Sequence, residues 1–217
     1  MARNPTPGGR RSEADRNDHI VLTAARDVFI EQGWDAPISA VSKRSGLGMG
    51  SIYRRYASKD ELFAAMFAAC MDEAADEALT ALAEEPDGWS ALRRLMRAML
   101  HSGVGSLFAQ VAEHEQARAA FRDSGGSLRA AIDRIVADAR RDGALRREVT
   151  SADICLALRH VKPPHGPDVK RERQLQLRYL EVLLDGLAEP GSGTADRASR
   201  ELPGPGPQWD DLASGKA

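Results

Sequence analysis

The chain has 217 residues, 42% hydrophobic and 29% charged, with a formal net charge of −2. That composition is ordinary for a soluble globular protein, and the length suffices for one large or two small domains around a real core. Two cysteines imply no disulfide framework, the apolar run from Leu62 to Met71 falls far short of the roughly 18 residues of a membrane span, and the N-terminus lacks a signal-peptide core, so a cytoplasmic protein without a membrane partner is expected.

The charge is unevenly spread. Residues 1–59 carry ten Lys/Arg against six Asp/Glu, and the remainder carries twenty against twenty-six. A basic head on an acidic body places any polyanionic partner at the N-terminal end. Residues 1–17, rich in Pro, Gly, Arg and Asp and without periodicity, read as a flexible basic arm. Its Arg3, Arg10 and Arg11 either reach a nucleic-acid groove or form a solubilising tail.

A first helix is expected from about Asn17 to Gln32, with Val21, Ala24, Ala25, Val28 and Phe29 on one stripe and Gly33 as its C-terminal stop. Asp35-Ala36-Pro37 starts a second helix with Pro37 in its first turn, Ile38 and Val41 inward, and Gly46 after its end. Leu47 is the apolar plug of the turn. A third helix then runs from about Met49 to Tyr56, burying Ile52 and turning Gly50, Ser51, Tyr53, Arg54 and Arg55 outward. Ser58-Lys59-Asp60-Glu61 forms a capping box that opens a fourth helix reaching about Glu85. Lys59 stands in its first turn, where the helix dipole disfavours a cation and a phosphate partner would offset that cost.

These residues resemble the tetracycline-repressor (TetR) family. Val21-Leu22-x-Ala24-Ala25-x-x-Val28-Phe29-x-Glu31-x-Gly33-Trp34 is similar to that family's first helix. Gly46-Leu47-x-x-Gly50-Ser51-Ile52-Tyr53-x-x-Tyr56-x-Ser58-Lys59-x-x-Leu62 is similar to its turn, recognition helix and entry to the fourth helix. Three features depart from the pattern and bear on which operator is read. Gly48 stands where Ser or Thr commonly caps the recognition helix, Met49 where a polar residue is common, and Ala36-Pro37 where a threonine pair is usual. The resemblance implies a DNA-binding set of Gly48, Met49, Gly50, Ser51, Tyr53, Arg54, Arg55 and Lys59. In it the Tyr53 hydroxyl meets phosphate, Tyr56 is a largely packed ring, and Arg54 contacts phosphate or pairs with guanine. Any base contact by Met49 is apolar.

The fourth helix carries Leu62, Phe63, Met66, Phe67, Cys70 and Met71, a wide face that suits burial on more than one side, and Pro86-Asp87-Gly88 ends it. Further helices are expected over Trp89–His101, around Leu107, Phe108, Val111 and Ala112 to about Ala119, over Ser127–Asp142, and after Thr150 with Ile154, Leu156 and Leu158. Pro163-Pro164-His165-Gly166-Pro167 forces a loop, and a last helix spans about Val169 to Leu187. Its two apolar stripes exceed what a surface helix needs. The excess suggests a second subunit, and the family's dimers form from the last two helices. Leu177, Leu180, Leu183 and Leu184 are the expected interface. The segment from Arg178 to Leu187 resembles the C-terminal domain of an actinobacterial-type subgroup. Residues 189–217 read as a disordered tail.

Five scattered histidines, with no Cys-x-x-Cys or His-x-x-x-His pair, give no metal site, and no nucleophile-elbow or phosphate-loop motif points to an enzyme. A pocket lined by Phe67, Cys70, Met71, Met96, Met99, Leu100, His101 and Phe108 would suit an apolar or amphipathic ligand; the same side chains could equally be ordinary core. The sequence thus points to an all-α chain divided into an arm (1–17), a three-helix helix-turn-helix domain (18–58), a helical ligand-binding and dimerisation domain (59–188) and a tail (189–217). The expected function is a cofactor-free homodimeric regulator binding double-stranded DNA. A small-molecule effector releases it from a near-palindromic operator. The alternative is a helical sensor or partner-binding protein without specific operator recognition.

Overall fold

A computed structural model describes residues 7–107, 118, 119, 122, 125–161 and 169–192, with side chains described from residue 16 onward and, in the last stretch, from residue 170. Arg3, Arg10, Arg11, Phe108, the 163–167 loop and the tail from residue 193 therefore lie outside the described side chains. Eight helices carry the description: α1 (Pro7–Gln32), α2 (Ile38–Ser45), α3 (Met49–Tyr53), α4 (Lys59–Glu84), α5 (Gly88–Ser102), α6 (Gly126–Arg141), α7 (Ser151–His160) and α8 (Val169–Leu187). Among the described residues the single β-bridge joins Leu145 to Ala188, and no helix is long and apolar enough to cross a membrane.

Helix α1 starts ten residues earlier than the apolar stripe predicts. Its extension contains Arg10, Arg11, Glu13, Ala14 and Arg16, good helix formers, and proline is tolerated in a first turn. Periodicity of apolar residues cannot report a helical extension that contains almost none of them. Helix α2 begins one residue late, because Pro37 takes the extended conformation of a cap (φ −76°, ψ 150°) rather than the first helical one. Helix α3 stops at Tyr53, although the Tyr56 N–H still donates to the Ile52 carbonyl at 2.9 Å.

Helices α1 to α3 close around Val21, Phe29, Val41 and Ile52, all fully buried. The first turns of α4 complete this head. Phe63 meets Phe29 edge-on at 5.4 Å and Trp34 at 4.6 Å between ring centroids, so Trp34 folds back instead of standing in solvent. Farther along, α4 buries Ala74, Ala75, Ala78 and Ala81, small side chains that let α5 and α6 approach it closely. Arg94 of α5 clamps the end of α4, donating to Glu77 at 2.9 Å and to Glu84 at 2.7 Å. At the start of α5 the Gly88 N–H donates to Asp142 at 3.1 Å, and a Cβ there would lie 2.2 Å from the backbone nitrogen of Ala139.

Helix α8 lies against α5. Its inward side buries Leu180 and Leu184 completely, together with Glu181, whose carboxylate accepts from Arg97 Nε at 2.8 Å. Its end is pinned where Arg146 N–H donates to the Leu187 carbonyl and Glu189 N–H to that of Ala144. This corrects the expected interface: Leu180 and Leu184 belong to the protomer's own core, and Leu177 and Leu183 are half-buried. Tyr179 and Val182 face out at 51% exposure each, with Leu156 of α7 also exposed rather than packed inward beside Ile154 and Leu158. Two apolar stripes on one helix do not say which faces its own chain.

Gly88→Ala tests the close approach of α5 and α6. The obstacle is backbone, so the methyl cannot be absorbed by a rotamer change, and urea denaturation should show a loss of about 1–3 kcal/mol.

Candidate nucleic-acid interface

The turn between α2 and α3 is built by local chemistry. Gly46 adopts a left-handed conformation (φ +71°), and its N–H donates to the Ser42 carbonyl at 3.1 Å. The Ser42 hydroxyl donates to the Leu47 carbonyl at 2.7 Å, while Ser45 Oγ accepts from the Leu47 N–H at 3.3 Å. These bonds hold Leu47 half-buried against the core as the expected plug. Helix α3 then leaves the turn with Ile52 buried and its opposite side open to solvent.

The expected DNA-binding residues do not all share that open side. Gly48, Gly50, Tyr53 and Arg54 are exposed, and Ser51 is half-buried. Met49 is partly buried against the core, which shortens its reach. Arg55 turns back to α1, its Nε 2.7 Å from Asp18. Tyr56 is buried as a packed ring, and that burial, reinforced by the Asp18 carboxylate, raises its phenol above the ordinary range. Lys59 stands apart from the rest. Its ammonium lies 5.9 Å from the Phe29 ring centroid and 5.8 Å from that of Trp34. Two aromatic faces thus offset much of the dipole cost that its first-turn position suggested, without any phosphate.

The α4 cap differs from the expected reciprocal box by one residue. Ser58 Oγ accepts from the Glu61 N–H at 3.1 Å, but the Glu61 carboxylate reaches past Ser58 to the Ala57 N–H at 2.7 Å. It thereby anchors the strand of chain between α3 and α4.

Half of the head's Lys and Arg side chains are paired within the protein. Arg26 pairs with Glu73 and Asp27, Arg44 with Glu31 and Asp27, and Arg55 with Asp18. The bond to Glu31, a hydrogen-bonded pair, raises the Arg44 guanidinium above its usual value. Among the described Lys and Arg of residues 18–59, Lys43, Arg54 and Lys59 have no carboxylate partner. Lys43, exposed on the last turn of α2, lies outside the residues that the motif singles out. Its signal in the sequence is its place in the first helix of the helix-turn-helix, which crosses the nucleic-acid backbone.

A three-helix head with a helix-turn-helix, continued by a long helix into a larger helical body, defines the class: a DNA-binding transcriptional regulator. Residues 21–66 match the family model of bacterial regulatory proteins of the tetR family, and residues 85–189 match that of the SbtR-like transcriptional regulator C-terminal domain. The chain belongs to the TetR family. Solved structures agree. The TetR transcriptional regulator SCO0520 from Streptomyces coelicolor is 27% identical with a TM-score of 0.59, the alignment covering 80% of this chain and 99% of that one. The TetR transcription regulatory protein from Mycobacterium vanbaalenii is 28% identical with a TM-score of 0.58, covering 82% and 98%. A curated relative, the HTH-type transcriptional regulator SAR0097 from Staphylococcus aureus (strain MRSA252), is 38% identical over 71 residues, so the match spans 35% of that relative's length and 31% of this chain.

Neither Gly48 nor Gly50 is required by the protein's own packing, since a Cβ at either would meet nothing within 4 Å. Gly48 is already in the extended conformation of a helix cap. Gly48→Ser should therefore raise the thermal midpoint, with a gain of about 0.5 kcal/mol from the cap and the stiffer unfolded chain, read by circular dichroism.

Proposed function

We propose that the protein is a homodimeric repressor, freed from a near-palindromic operator when a small molecule binds its larger helical part. In this reading residues 18–58 are the DNA-reading head, residues 59–188 sense and dimerise, and α4 connects the two. The two recognition helices enter successive major grooves roughly 34 Å apart. What supports the reading most is the exposed face of Gly48, Gly50, Tyr53 and Arg54, in a head whose Lys43, Arg54 and Lys59 have no carboxylate partner. Gly48 and Gly50 leave room for a sugar-phosphate backbone, the Tyr53 hydroxyl and Lys43 suit phosphates, and Arg54 is the side chain best placed to read a base. An effector must bind the DNA-incompetent state more tightly, and operator DNA must weaken effector binding by the same factor.

The decisive experiment is to footprint the purified protein on the DNA flanking its own gene. Protection of a near-palindromic site is expected. No specific retardation at low salt, with folded dimer confirmed, would sink the repressor and leave the second reading, a helical sensor without operator recognition. The partial burial of Met49 and the withdrawal of Arg55 favour that second reading, because they shrink the base-reading set. Arg54→Ala should relax preference at one base position by about 1–3 kcal/mol. Lys59→Ala should weaken all sequences evenly and flatten the salt dependence. A change of base preference in Lys59→Ala with an unchanged salt slope would show that the lysine does not act on phosphate.

We further propose that subunits pair through the outer faces of α7 and α8, where Leu156, Tyr179 and Val182 stand exposed. Val182→Asp should convert dimer to monomer in light scattering while leaving helix content intact.

A further inference from the structure

An open groove of about 410 Å³ runs between the C-terminal turns of α5 and the first half of α8. Its walls are Arg97, Leu100 and His101 on one side and Arg173, Gln176 and Leu177 on the other. Of the described residues of the sequence-expected pocket, Leu100 and His101 line it, and Phe67, Cys70, Met71, Met96 and Met99 are closed into the core; Phe108 lies outside the described residues. Burial pushes the Cys70 thiol up to about 12.

The lining is chemically one-sided. Its described lining contains two arginines, a histidine, Ser102, Gln176 and apolar side chains, and among the described residues no Asp or Glu. Arg97 is committed to the buried Glu181. Arg173 has no ion-pair partner among the described residues. One uncompensated guanidinium at the edge of an apolar slot suits a single planar negative charge, which a fork of N–H groups meets bidentately. The volume lies within the range of small-molecule sites, roughly 300–1,000 Å³.

The groove does not compete with the proposed subunit contact. At about 100° per residue, Arg173, Gln176 and Leu177 share the side of α8 that buries Leu180 and Leu184, whereas Tyr179 and Val182 lie on the far side. It also adjoins the DNA-binding head. Leu100, His101 and Ser102 lead directly into Gly103, the left-handed cap of α5, and a Cβ built on Gly103 would lie 2.9 Å from Ile30 Cδ1 of α1. The backbone of that turn rests on Ile30, so whatever displaces the last turn of α5 must push on α1 or separate from it.

We propose that this groove is a binding site for an amphipathic monocarboxylate, held by Arg173 at its charged end and by Leu100 and Leu177 along its apolar body, and that occupancy is passed to α1 through the contact of Gly103 with Ile30. The second half rests on the repressor reading; the first does not. Calorimetric titration of the full-length protein with octanoate and with 1-octanol, in the absence of DNA, tests the site. Octanoate should bind at least tenfold more tightly than the alcohol. Arg173→Gln should abolish that preference and leave alcohol binding unchanged, while Leu177→Gln should weaken both. Equal affinity for acid and alcohol, no heat from octanoate, or an unaltered preference in folded Arg173→Gln would overturn the site. The coupling is read by fluorescence anisotropy on the footprinted DNA. Saturating octanoate should lower DNA affinity at least fivefold in the parent and less than twofold in Ile30→Ala, whose octanoate affinity should be unchanged. Binding of octanoate with no loss of DNA affinity, or the same loss in Ile30→Ala, would overturn the coupling. Failure of DNA binding altogether would count against the repressor and the coupling, while the titrations with acid and alcohol would still decide the site.

Discussion

The aromatic junction of Phe29, Trp34 and Phe63 is the contact on which the two halves of the molecule depend. Phe63 sits on the second turn of α4, while Phe29 and Trp34 come from the end of α1 and the turn after it. Edge-to-face rings gain about 0.5–1.5 kcal/mol each beyond the area they bury, and this cluster buries Phe29 and Phe63 entirely. Phe67 extends the stack one turn farther along α4, 6.0 Å from Phe63. Lys59 roofs it, with its charge over two rings. The orientation of the head is therefore set by where α4 points, and α4 cannot shift without disturbing α1.

Electrostatics then decides what surface the head presents. Half of the basic residues of its helical part, 18–59, are not available to a polyanion, because Glu31, Asp27, Glu73 and Asp18 hold three of the six. These pairs are partly exposed and individually worth little stability, on the order of 0–1 kcal/mol. Their consequence is geometric: they fix α1 to α2, to the turn after α3 and to α4, and leave Lys43, Arg54 and Lys59 without a carboxylate partner.

The larger part of the molecule is organised around α5. On one side α4 and α6 approach it through small residues, with Gly88 fitted against the backbone of α6. On the other lies α8, where Glu181 is almost fully buried and accepts from Arg97 while Arg93 stands 3.8 Å away. Burying such a charge is costly and breaking the pair leaves it unpaired, so the cluster penalises any sliding of α8 along α5. The groove opens just beyond this lock, at the end of α5 that touches α1.

The helical class, the order and approximate limits of the helices, and the turn of the reading head are all legible in the amino-acid sequence. Each rests on short-range physics: apolar spacing at the helical period, Gly46 and Gly103 at left-handed caps, and Ser58 and Thr150 accepting from backbone N–H groups at helix starts. The buried Ile52 is legible in the same way, and the packed Tyr56 through the resemblance of the turn and third helix to the TetR pattern. Which exposed-looking side chains are free is settled instead by contacts between distant segments. Arg55 is drawn to Asp18, 37 positions away, and Lys59 settles on rings contributed by α1 and the turn that follows it. The two stripes of α8 are equally apolar in sequence, and they divide into a core side and an outer side only because of where α5 lies. The interior sulfurs and aromatics suit a pocket or a core equally well until packing closes them, while Arg173, Gln176 and Leu177 line a groove that no motif announces. Local rules act within a turn or two of helix; partner choice across helices depends on packing, and packing is a property of the whole chain.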